Sequence, residues 1–244
     1  MLKTLLIISF MCSSIFTAIA QAPAPSMPGE NSVVKDAEGT VYPYVIWRKL
    51  LTTGDYSMRM FRKAGSDSLT YTLVKRTEQE KEAMYARWPK PAESQYFKVG
   101  DALRPIKERD IKGVKLDQKS LAGKIIVLNF WFIGCPPCRA EIPDLNKLVE
   151  AYKDNSDVVF IAVALDEAYE IKEFLKEHPL NYHIVENGRY YATKYSLNQY
   201  PTNIVYDAGG KVVFSSVSNQ PSNPYWMKKA INEALANKTK QAAL

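Results

Sequence analysis

Residues 125–132 (Ile-Ile-Val-Leu-Asn-Phe-Trp-Phe) form a nearly unbroken apolar run that leads directly into Ile133-Gly134-Cys135-Pro136-Pro137-Cys138. Such a run suits a central strand covered on both faces, because no alternation turns one face to water. An amphipathic segment begins at about residue 136 and continues to 152, so the cysteine pair sits at a strand-to-helix turn. The pattern then predicts a buried strand over 158–165 and a helix over 167–177, with Ile171, Phe174 and Leu175 on one face. A short strand at 182–185 and a short helix at 188–195 come next. Residues 202–206 read as a strand, Asp207-Ala208-Gly209-Gly210 as a turn and 211–214 as the return strand. A last helix spans about 223–237. Strands alternating with helices and closed by a hairpin predict an α/β domain over 95–240, with a mixed central sheet flanked by helices.

The N-terminal side reads differently. Lys3, an apolar core and the overlapping signatures Ala18-Ile19-Ala20 and Ala20-Gln21-Ala22 predict a secretory signal peptide over 1–22. Ser9, Ser13, Ser14 and Thr17 interrupt the run, which argues against a membrane anchor. A proline-rich linker follows, and residues 23–94 form a β-rich extension. Within it, 41–51 is apolar and aromatic enough for an edge strand containing Pro43. Alternation at Tyr56, Met58, Met60 and at Leu69, Tyr71, Leu73 predicts a hairpin turning at 64–67. Thr77-Glu78-Gln79-Glu80 matches a capping box that opens a helix ending near Trp88. Residues 111–116 resemble a short hairpin.

Cysteine usage narrows the function. The chain has 3 cysteines, and Cys12 lies in the predicted signal. An exported chain with one remaining pair has no second disulfide to staple it. A Cys135–Cys138 bond closes a four-residue loop, worth about 2 kcal/mol in chain entropy. A redox role therefore explains the pair better than stability. A zinc half-site would need two more ligands, and His178 and His183 are poorly spaced for it, so no metal is expected. The net charge of +6 is scattered among acids, without the basic tract that nucleic-acid binding would call for. No nicotinamide or flavin fingerprint is present, so no cofactor is expected.

Asn129-Phe130-Trp131 leading into Cys135-Pro136-Pro137-Cys138-Arg139-Ala140-Glu141-Ile142-Pro143 resembles the active-site segment of thioredoxin-like proteins, and more closely that of the exported TlpA/ResA thiol–disulfide oxidoreductases. Tyr200-Pro201-Thr202 resembles that superfamily's cis-proline loop. Residues 97–101 and 121–124 resemble the group's lead-in. The resemblance spans about 95–240 and implies a thioredoxin-like fold. It implies a redox-active Cys135–Cys138 disulfide, substrate contacts at Tyr200, Pro201 and Trp131, and a tuning, proton-transferring role for Glu141. Asn129 stands where thioredoxins carry a buried aspartate. Gly134 departs from the tryptophan that commonly precedes the first cysteine.

The chemistry follows from the residue types. Cys135 precedes a helix, whose free N–H groups favour a thiolate, so it is the expected nucleophile and is expected to be exposed. Cys138, one turn on and facing inward, is the resolving thiol. Pro136 and Pro137 remove two N–H groups near the Cys135 sulfur, which implies a less depressed pKa and a more reducing couple unless the Cys138 N–H or Arg139 compensates. Glu141 has a competing reading as a solvated first-turn residue. The expected activity is reduction of disulfides in exported proteins, periplasmic or extracytoplasmic, with electrons from a membrane-side donor. An oxidase or isomerase of the same fold and a non-catalytic binding module are the alternatives. The Pro-x-x-x-Thr/Ser-x-x-Cys pattern of peroxiredoxins is absent around Cys135.

Overall fold

A computed structural model describes residues 27–62, 69–102 and 106–242. The predicted signal peptide, the start of the linker and the 64–67 turn lie outside the described residues. The chain divides into two units: residues through Thr52 with Tyr56–Lys75, and Thr53–Asp55 with Arg76–Leu244.

The first unit holds β1 (Val34–Lys35), β2 (Val41–Tyr42), α1 (Tyr44–Thr52), β3 (Tyr56–Arg62) and β4 (Leu69–Lys75) in a sheet of order β2-β1-β4-β3. The alternating runs do pair as antiparallel strands, with Met58 opposite Leu73 and Met60 opposite Tyr71. Most of the 41–51 segment, expected as an edge strand, is helical instead. Pro43 ends the short strand, and its carbonyl accepts the N–H groups of Ile46 and Trp47 at 2.9 and 3.1 Å, starting the helix. The side-chain period then decides. Trp47, Leu50 and Leu51 recur at helical spacing and pack on Val34, Tyr71 and Leu73, while Val45 and Ile46 stay exposed.

The second unit begins with α2 (Glu78–Tyr85), whose capping box is formed as predicted: Glu80 N–H donates to Thr77 Oγ1 at 3.2 Å and Thr77 N–H to Glu80 Oε2 at 2.9 Å. β5 (Glu108–Arg109) and β6 (Lys115–Leu116) follow, then α3 (Gln118–Leu121), β7 (Ile125–Trp131), α4 (Pro136–Ala151), β8 (Val158–Ala164) and α5 (Ala168–Glu177). β9 (His183–Val185), α6 (Arg189–Lys194), β10 (Thr202–Tyr206), β11 (Val212–Val217) and α7 (Asn223–Ala242) complete the unit. The hairpin expected at 111–116 pairs 108–109 with 115–116, because Asp110 gathers the turn N–H groups and Ile111 donates to Ile184 instead.

The central sheet has five strands in the order β11-β10-β7-β8-β9. β7, β8 and β9 run parallel, and β10 lies antiparallel to β7. This is the mixed sheet that the sequence pattern predicts. Ile125, Val127 and Trp131 share one core with Ile142, Leu145 and Leu148 of α4 and Met227 and Ile231 of α7. Ile126, Leu128 and Phe130 pack in a second core with Phe97, Leu121 and Tyr191. The two-residue period of β7 therefore aims Asn129, a polar residue, into the core beneath α4.

Candidate active site

Cys135 is the N-cap of α4, in extended backbone conformation. Pro136 and Pro137 fill the first helical positions, where a missing N–H leaves no helical bond unmade. Consequently the Cys138 amide is the first-turn donor that reaches the Cys135 sulfur, at 3.2 Å. Cys135 and Cys138 are joined as a disulfide with Cα atoms 5.3 Å apart. Arg139 makes no such compensation: its guanidinium lies 3.3 Å from His178 Nε2 and over the Phe174 ring.

Cys135, expected to be exposed, is only 3% exposed while bonded to Cys138. Its sulfur lies against the first turn of the helix, bonded to Cys138 and accepting the Cys138 N–H. Gly134, Pro136 and Pro137 around it are exposed. A side chain at Gly134 would meet only the Phe132 ring, at 3.7 Å, so the glycine leaves the lip open. The loop itself is pinned. Ile133 N–H donates to Asp166 Oδ2 at 2.8 Å, and Leu165 N–H to the Trp131 carbonyl at 3.1 Å.

Trp131 does not belong to the lip. It is 1% exposed and its ring packs 5.6 Å from that of Phe174, so it supports the loop from the core and offers no surface for a substrate contact. It ends β7, and the strand's inward alternation carries its side chain under α4. Tyr200 is half-buried, its ring edge-on to Phe132 at 5.3 Å. The Tyr200–Pro201 peptide is cis. Thr202 pairs with Phe130, which puts Pro201 level with Trp131, where the cysteine loop leaves the sheet.

Glu141 sits on the buried face of α4 with Cys138, three residues before it, and Ile142, Leu145 and Leu148. It is 3% exposed, which excludes a solvated first-turn side chain. Asn129 Nδ2 donates to its Oε1 at 2.8 Å and Asn203 Nδ2 to its Oε2 at 3.1 Å. Asn129 Nδ2 also donates to Asn203 Oδ1 at 2.9 Å, closing a ring. Burial pushes the Glu141 carboxyl up to about 8, although both amides oppose the shift. A carboxyl in that range can take up and release protons near neutral pH, beside a cysteine that must do the same.

Asn203 was not among the residues expected at the site. Asn129 and Asn203 are partners across β7 and β10, and both lie on the core-facing side. An asparagine at an inward position of an apolar strand is the signal that would have found it, because a buried amide needs partners. Among the described residues, no group of three or more His, Cys, Asp or Glu side chains is arranged to hold a metal ion.

A mixed sheet with a Cys-x-x-Cys disulfide at the start of the helix after its central strand, and a cis-proline at the neighbouring strand, defines the thioredoxin-like class. The chain belongs to the ResA-type thiol–disulfide oxidoreductases, and it is an enzyme of that activity. Thiol-disulfide oxidoreductase ResA of Bacillus cereus is 32% identical over 131 residues, covering 53% of this chain and 75% of the relative. Thioredoxin-like protein YneN of Bacillus subtilis is 29% identical over 106 residues, covering 43% of this chain and 62% of its own length. The AhpC/TSA family model matches residues 99–215. A Chlorobium tepidum structure described as a thiol:disulfide interchange protein DsbE superposes with a TM-score of 0.51 at 25% identity, covering 57% of this chain and 99% of that one. A Bacteroides thetaiotaomicron structure described as a protein disulfide isomerase shares the fold, with a TM-score of 0.52 at 22% identity over 60% of this chain and 95% of its own.

Proposed function

We propose that this oxidoreductase reduces disulfides in exported proteins through the Cys135/Cys138 dithiol. The Cys135 thiolate attacks one sulfur of the substrate disulfide. A Cys135–substrate disulfide forms and one substrate thiolate leaves, taking up a proton. Cys138 then loses its proton, attacks the Cys135 sulfur and forms the Cys135–Cys138 bond, and the second substrate thiolate departs. Two electrons pass to the substrate. A membrane-side dithiol donor must return them, because the chain carries no electron-storing cofactor motif. Glu141 is the group that accepts the Cys138 proton, being its neighbour on the buried face of α4. Pro201 and Tyr200 form the substrate side of the lip, with Phe132 and the open position at Gly134.

The observation that carries this reading is the Cys135 sulfur at the helix N-terminus, receiving the Cys138 N–H and bonded to Cys138. The two prolines leave it one first-turn donor where non-proline residues would supply more, which favours the thiol and a reducing couple. Export by residues 1–22 and an extracytoplasmic location belong to the same reading. Among the described residues no helix is long and apolar enough to cross a membrane.

The test has two parts. Cys135→Ser should abolish reduction of insulin by the chain, and retained turnover would end the mechanism. Titrating the dithiol against thiol buffers should give a potential toward about −270 mV; a value toward about −120 mV would make the protein an oxidant instead.

A further inference from the structure

The first turn of α4 and the helix α6 carry three cations, and two of them are occupied. Arg139 lies over the Phe174 ring with its guanidinium beside His178. Lys194 lies over the Tyr190 and Tyr195 rings, at 5.5 and 5.7 Å. Arg189, the first residue of α6, is exposed. Among the described residues its guanidinium makes no ion pair or hydrogen bond.

The backbone fixes where Arg189 stands. Asn187 N–H donates to the Asp166 carbonyl at 3.1 Å and Gly188 N–H to the Ala164 carbonyl at 2.7 Å. A Cβ at Gly188 would collide with Val163 Cγ1 and stand 2.8 Å from the Ala164 carbonyl oxygen, so glycine is what lets the chain approach β8 this closely. Asp166 in turn holds Ile133 of the cysteine loop through its side chain. The start of α6 is therefore tied to the same anchor as the loop that carries Cys135. From there the positive charge of Arg189 reaches the Tyr200 phenol, where it opposes the upward push of burial. Tyr200 meets Phe132 edge-on and precedes the cis-proline. The carboxylates at this edge are turned elsewhere. Asp166 Oδ2 accepts the Ile133 N–H, Glu186 Oε2 accepts the Ala168 N–H at 2.9 Å, and Glu167 is the N-cap of α5.

We propose that Arg189 selects the substrates of this oxidoreductase, favouring disulfides whose cysteine is flanked by an aspartate or a glutamate. A planar guanidinium offers a carboxylate two parallel N–H donors, and this one is unpaired beside the lip. A substrate cysteine that reaches Cys135 brings its neighbouring residues past Tyr200, within the field of Arg189. An acidic neighbour is held there and a basic one is repelled. This rests on the reading that the Cys135/Cys138 dithiol reduces protein disulfides, with Tyr200 and Pro201 on the substrate side of the lip.

The test uses three peptide disulfides, each a symmetric dimer of one peptide with Glu, Gln or Lys two residues to either side of its cysteine. The full chain, reduced and then freed of reductant, is mixed with each peptide, and the thiols released in a single turnover are followed. Comparing chains and not peptides cancels each peptide's own effect on its thiols. Arg189→Gln should lower the Glu-to-Lys rate ratio by about threefold at low salt and Arg189→Glu by about tenfold, the sizes expected when one exposed charge is lost or reversed. Both losses should fade at high salt, which screens exposed charges. Lys240→Gln removes the same charge from the last turn of α7. That turn lies beside Lys238, which pairs with Asp157 just before β8, at the end of the parallel strands opposite the cysteines. The ratio should stay unmoved in Lys240→Gln. An unmoved ratio in Arg189→Gln overturns the proposal, as does an equal fall in Lys240→Gln, which would assign the preference to net charge. The two readings fail distinguishably. A wild-type chain that reduces none of the three peptides is no reductase, and both fall; reduction of all three with a ratio unmoved by Arg189→Gln removes this proposal alone.

Discussion

Two carboxylates in the second unit expose similarly little surface but lie at different depths, and they are shifted in opposite directions. Asp110 is 5% exposed and Glu141 3%. Burial pushes both upward. At Asp110 it is outweighed by hydrogen bonds from His183 Nδ1 at 2.8 Å and from the N–H groups of Val114 and Lys112 at 2.8 and 2.9 Å, so its carboxyl stays below the usual range. Glu141 lies deeper, on the buried face of α4 among core side chains, and there two neutral side-chain amides do not offset burial, so the carboxyl rises to about 8. Depth together with the number and kind of donors separates a carboxylate that fixes a surface turn from one suited to moving protons.

The largest way to sharpen this contrast is stability against pH. The folded pKa of Glu141 is raised, so its favourable contribution is complete below the usual value of 4.5 and is lost as pH rises toward about 8. At about 1.4 kcal/mol per pKa unit, that gap is on the order of 5 kcal/mol. The urea midpoint of the disulfide-bonded chain should fall across this window, and Glu141→Gln should flatten the slope. Asp110 acts in the opposite sense, its contribution being lost only as pH falls below the usual carboxylate range. An unchanged slope in Glu141→Gln would break the comparison.

Activity separates the two next. Glu141→Gln should lower turnover in disulfide exchange by on the order of 100-fold at neutral pH, the usual worth of a positioned proton acceptor. Asp110→Asn should leave turnover within about twofold, since Asp110 touches the loop and β9 and nothing at the cysteines. Insulin reduction with both variants reads the difference.

The fold is largely legible in the sequence because it is written in local pattern. Apolar runs announce β7 and β8, and the hairpin of β10 and β11 announces its own turn. The cysteines, Glu141 and Pro201 are legible as one contiguous segment and one dipeptide. What stays hidden depends on register between distant strands. Asn203 meets Glu141 across 62 residues, and Asp110 meets His183 across 73. Neither distance leaves a mark in a periodicity. Trp131 departs from what the resemblance implies for a related reason: strand alternation turns its ring inward, into the core. In α1, β-forming residue types mask a helical spacing that is present all along at Trp47, Leu50 and Leu51.

A smaller effect tests the structural half of the comparison. Asp110→Asn removes an ionised acceptor from three donors and should cost about 2 kcal/mol of stability at neutral pH, the usual worth of hydrogen bonds to a charged group. Urea melts at neutral pH measure it. A cost below the error of the melt would mean that the Asp110 turn contributes little once formed.

The smallest effect sets the exposed limit. Glu80 accepts the Thr77 N–H in the capping box of α2, and both residues face solvent. Its donors resemble those of Asp110 in kind, but water competes for every one of them. Thr77→Ala removes the hydroxyl that caps Glu80 N–H and should cost about 1 kcal/mol, with no dependence on the redox state of the cysteines. Paired thermal melts of the oxidised and reduced chain check both statements. A larger loss confined to one redox state would show that α2 senses the disulfide, and the simple ranking of these carboxylates by burial and donors would no longer hold.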